Sequence, residues 1–75
     1  MDAYLGTYLL SQDLPDGKEI MAELDVNAVD KAQAIALSAI NKGIFATDIP
    51  INIFKINHKE ESMEQVATVL KITPQ

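Results

Sequence analysis

Residues 18–26 alternate without a break: Ile20, Ala22, Leu24 and Val26 fall on one side, and Glu19, Met21, Glu23 and Asp25 on the other. A period of two predicts a half-buried strand. Residues 3–12, rich in aromatic and β-favouring side chains, predict a strand before it. Between them, Asp13-Leu14-Pro15-Asp16-Gly17 has the chemistry of a tight reversal. Pro15 presets φ, Asp16 suits the second turn position and Gly17 can turn left-handed, so a hairpin with a type I turn and a G1 bulge is expected.

The period then changes. Val29, Ala32, Ile35, Ala36, Ala39 and Ile40 recur at helical spacing, which predicts a helix from about Ala28 to Lys42 with that stripe buried. Asn27 is the expected N-cap, Asp30 suits the positive end of the helix dipole, and Gly43 supplies the stop. Residues 49–58 predict a third strand, with Pro50 near its start. There Ile51 and Ile53 share one parity and Phe54 and Ile56 the other, so a bulge or burial on both faces is expected. Residues 59–64 read as a polar loop. Residues 65–73 fit either a helix or a strand, and the β-branched Val66, Thr68, Val69 and Ile72 favour the strand.

Together these elements give a single small α+β domain spanning residues 1–75, ordered β-β-α-β-β. The expected sheet is four-stranded and mostly antiparallel, with one helix on one face. A hairpin followed by a returning helix predicts the strand order 2-1-3-4.

Composition narrows the chemistry. The chain has eleven acids against six lysines, no arginine, no cysteine and one histidine, for a formal charge of −5. The lysines are scattered, and each has an acid nearby. Without arginine there is no bidentate phosphate clamp, so direct nucleic-acid binding is not expected. The absence of cysteine fits a reducing compartment. The N-terminus has no basic stretch leading into an apolar core, and no apolar run approaches membrane-spanning length. A cytoplasmic protein is therefore expected, without membrane attachment.

Catalysis would have to start at His58, the one histidine. None of the serines or threonines sits in a nucleophile motif. His58, Glu60, Glu61 and Glu64 are close in sequence, but they lack the ligand spacing and turn glycine of a calcium loop. No catalytic residue, metal site or cofactor is therefore assigned, and a small enzyme or metal protein centred on His58 is the weakest reading. Gly6, inside the first strand, suggests a bulge or a close backbone approach.

The stronger candidates are surface features. Glu19, Glu23 and Asp25, with Met21 between them, form a line of acids along one side of the second strand. One helix covers only one face of a sheet, and 48% of the chain is hydrophobic. If Tyr4 and Tyr8 lie on the uncovered face, they form an apolar patch with Met21 and Phe54, and such patches mark partner surfaces. The expected function is a small, acidic, non-enzymatic protein-binding module, an adaptor or inhibitor of the kind encoded by a phage or mobile element. Its partner would offer a basic or apolar surface. The alternatives are a nucleic-acid mimic that inhibits a nucleic-acid-binding protein, and a structural subunit or homodimeric assembly component.

Overall fold

The first turn sets the register of the sheet. The computed structural model describes residues 6–74. In it strand β1 (Gly6–Asp13) reverses through Pro15-Asp16-Gly17 and returns as β2 (Glu19–Val26). The Gly17 N–H donates to the Leu14 carbonyl at 3.0 Å, and the Leu14 N–H to the Lys18 carbonyl at 2.8 Å. Gly17 takes a φ of 88°, and the Asp16 carboxylate accepts from the Lys18 N–H. This is the expected turn, and it places Asp13 opposite Glu19. From there pairing runs unbroken to Gly6 opposite Val26. Gly6 therefore marks no bulge: a Cβ there would meet the Tyr8 ring at 3.4 Å and the Lys55 stem at 3.8 Å.

The helix α1 (Val29–Asn41) follows after two residues. Asn27 is not its cap, contrary to the sequence reading. Ala28, in extended conformation, stands at the entrance instead, and no side chain caps the first turn. Asn27 lies one residue too early for that position. At the other end Gly43 takes a φ of 81°, donating to the Ile40 carbonyl while Ile44 donates to the Ala39 carbonyl. These two bonds form a Schellman stop. The buried stripe is Ala32, Ala36, Ala39 and Ile40, with Val29 partly covered. Ile35 is 39% exposed, not buried as expected. At 100° per residue it lies about 90° from the centre of the stripe, on the flank of the helix.

Strands β3 (Ile51–Asn57) and β4 (Ser62–Val69) complete a four-stranded sheet of order β2-β1-β3-β4, with every neighbouring pair antiparallel. Pro50 stands just outside β3. The expected loop at 59–64 is shorter than the sequence reading gave, because Asn57 organises a tight turn. Its Oδ1 accepts from the N–H groups of both Lys59 and Glu60, and Glu61 takes a φ of 53°. The last strand therefore starts and ends earlier than expected, and residues 70–74 have no regular structure. Between Ile53 opposite Ala67 and Phe54 opposite Gln65 the register steps over Val66, a bulge in β4. β3 itself keeps strict alternation and is apolar on both faces.

The core lies between α1 and the sheet. Three alanines of the helix let it sit close on Leu10, Ile51 and Ile53, with Tyr8, Phe45 and Val69 also buried. Gln12 is fully buried among them. Its Nε2 donates to the carbonyls of Ala46 and Ile49 at 2.9 Å, and its Oε1 accepts from the Ala46 N–H at 2.8 Å. That one side chain fastens the α1–β3 connection to β1. The connection in turn holds the C-terminal segment. The Asp48 N–H donates to the Lys71 carbonyl, and the Asp48 carboxylate accepts from the Thr73 N–H, both at 2.8 Å, and also from the Thr73 hydroxyl. These Thr73 bonds hold the Asp48 carboxyl below its ordinary value.

Candidate functional site

Residues opposite one another in an antiparallel sheet share a face, and neighbours along a strand alternate. The register therefore assigns every side chain of the sheet. Tyr8, Leu10 and Gln12 turn towards the helix together with the Ile20–Val26 row. The other face carries Leu9 on β1, the acids and Met21 on β2, Phe54 and Ile56 on β3, and Met63 on β4. No element packs on that face among the described residues.

Its centre is apolar. Leu9 stands opposite Phe54, and Ile56 opposite Met63. The three residues on the inner strands are half-buried by their neighbours, while Met21 and Met63 on the outer strands are 59% and 57% exposed. Along β2 the acidic side chains are spaced by one or two pleats, roughly 7 Å per pair of residues. Glu19 accepts from the Ser11 hydroxyl and Asp25 from the Thr7 hydroxyl, each at 3.0 Å. These bonds orient the carboxylates without neutralising them. The ion pair among the described residues, Lys18–Asp16 at 4.0 Å, lies at the hairpin turn and not on this face. The acidic column thus has no lysine counter-charge within salt-bridge distance.

The sequence-derived site residues are therefore divided. Glu19, Met21, Glu23, Asp25 and Phe54 lie on the open face. Tyr8 does not: it is 4% exposed and belongs to the core, because its partner Leu24 is in the apolar row of β2. Tyr4 lies outside the described residues. Leu9, Ile56 and Met63 take the places that the tyrosines were expected to fill. The turn chemistry already contained that signal, since setting Asp13 opposite Glu19 puts Tyr8 and Leu10 level with Leu24 and Ala22.

His58 sits in the β3–β4 turn. Its Nε2 is 3.0 Å from the Thr7 hydroxyl oxygen, which donates its own proton to Asp25. With the tautomer that completes this chain, the imidazole gives a proton towards Thr7 and does not receive one. The arrangement orients Asp25 and does not activate Thr7 as a nucleophile. A shallow depression near this turn is lined by Lys55, Asn57, His58, Glu60 and Glu64, among others. Among the described residues, no three histidine, cysteine or acidic side chains are grouped to hold a metal ion, and no helix is long and apolar enough to cross a membrane.

Comparison with protein families, characterised proteins and solved structures found no match.

Proposed function

We propose that this protein is a non-enzymatic protein-binding module. Its uncovered sheet face docks on a partner with an apolar centre and a basic margin, in the manner of an adaptor or inhibitor. The observation that carries this reading is a single surface with Leu9, Phe54, Ile56 and Met63 in the middle and an uncompensated acidic column along one side. Apolar contacts supply the affinity of such an interface. The charges supply orientation and a faster, salt-sensitive association.

The test is capture of partners from host lysate by wild-type protein and by the Glu19→Gln/Glu23→Gln/Asp25→Asn variant, at low and high salt. The partner should be lost from the variant and should elute with salt. Equal capture by both proteins would overturn the reading. Nucleic-acid mimicry is the narrower form of the same idea, favoured by the straight line of carboxylates. In that case DNA or RNA should displace the protein from its captured partner. An assembly role through self-association predicts a concentration-dependent mass in light scattering without any partner.

A further inference from the structure

We propose that the free edge of β2 accepts an extended partner segment that alternates basic and apolar residues, adding a fifth strand to the sheet. This rests on the reading of the molecule as a protein-binding module and names the partner chemistry. β2 is an outer strand of eight residues, paired among the described residues in unbroken register on one side only. Every second residue of such a strand presents its N–H and C=O outward. The helix packs more heavily on β4 than on β2. The row from Ile20 to Val26 is consequently only half-buried, although it faces the helix side. The opposite side of the same strand carries Glu19, Glu23 and Asp25.

An added strand would satisfy both sides at once. Its apolar residues would extend the half-covered row, and its basic residues, one position out of phase, would stand opposite the acids. The alternation of β2 thus specifies the alternation of its occupant. A second copy of this chain fits badly. In antiparallel pairing of two β2 strands with both open faces on the same side, a register centred on Ala22 sets Glu19 of each copy opposite Asp25 of the other, and one centred on Glu23 sets the two Glu23 side chains opposite each other; like charges directly opposite are destabilising. The other outer strand, β4, carries the Val66 bulge and no such acidic row.

The experiment uses the full chain and three capped nonapeptides: lysine alternating with valine and threonine, the same residues scrambled, and glutamate in place of lysine. Backbone amide shifts and hydrogen exchange are followed by NMR. The alternating lysine peptide should shift and protect amides of β2, and should bind more weakly as salt rises. The scrambled and glutamate peptides should not protect them. The Glu19→Lys/Glu23→Lys/Asp25→Lys variant should bind the lysine peptide about ten-fold more weakly or worse and should now accept the glutamate peptide. Equal binding of the scrambled peptide, or shifts confined to Leu9, Phe54 and Met63, would overturn the edge proposal. The second of these outcomes would leave the open-face reading standing. Protection of β2 that depends on protein concentration without peptide would assign the edge to a second copy and also overturn it. Loss of lysate partners from the neutralised variant, measured separately, tests the module reading itself.

Discussion

Gln12 is the clearest case of a single side chain on which distant parts of the chain depend. It satisfies three backbone groups of the α1–β3 connection from inside the core. Gln12→Met keeps the volume and removes the partners. The orphaned groups should lower stability by about 2–4 kcal/mol, a large part of the total for a domain this size, with the denaturant slope unchanged in urea unfolding. Asp48 makes a pH-dependent counterpart. Its carboxyl is held low when folded, so its stabilisation is fully present above the ordinary carboxylate value near 4 and is lost as the pH falls through the lower, folded value. Proton exchange at the Thr73 amide should accelerate relative to the core amides in that acid window. Asp48→Asn, which tolerates the left-handed backbone there, should remove the acid dependence. Neither role was legible in sequence. A buried glutamine at a strand end looks like any polar strand residue until the connection that crosses it is known. Tyr8 was misplaced for a different reason: aromatic character suggested a surface patch, whereas the register fixed by the turn put it in the core.

The elements themselves were largely written in the chain, where glycine or periodicity marked them. The first hairpin and the helix stop rest on Gly17 and Gly43, both at positive φ. A Cβ at Gly43 would meet nothing within 4 Å, so Gly43→Ala should cost only backbone strain, about 1 kcal/mol. The melting temperature should fall by roughly 4–8 °C. The turn of the second hairpin is tighter than the sequence suggests because no glycine marks it. Asn57 organises the turn, and Glu61 adopts the left-handed conformation unaided. Glu61→Gly should relieve that strain and raise stability by about 0.5–1 kcal/mol, read from the same melting experiment. The helix N-terminus was misread by one residue, since asparagine before a helix is a strong cap signal even where an alanine occupies the cap position.

At the scale of the whole molecule, the sequence indicated one helix over one face of a sheet, and so an uncovered face. Which side chains populate that face required the cross-strand register. Parity within a strand cannot say which parity is outward when both are partly apolar, as in β1 and β3. The open face also has a solution consequence. With a formal charge of −5 and a pI near 4.5, the net negative charge keeps molecules apart at neutral pH. Near pH 4.5 that repulsion disappears while Leu9, Phe54 and Met63 stay uncovered. The apparent mass in light scattering should therefore rise there and recover on return to pH 7. Replacing Met63 and Phe54 with threonine should suppress the rise.

The bulge at Val66 makes the two outer strands of this sheet unlike each other. In the language of polymer chemistry, a sheet with two straight, unpaired margins is a bifunctional monomer, able to add units at both ends and grow without limit. A kink of one residue in β4 leaves this molecule with a single regular margin, and so with a valence of one. Strand addition can then take place only at the β2 margin, where like charges already disfavour a second copy, and a single partner strand consumes it. A short, apolar, two-faced sheet is thereby protected from fibre growth by where one residue fails to pair.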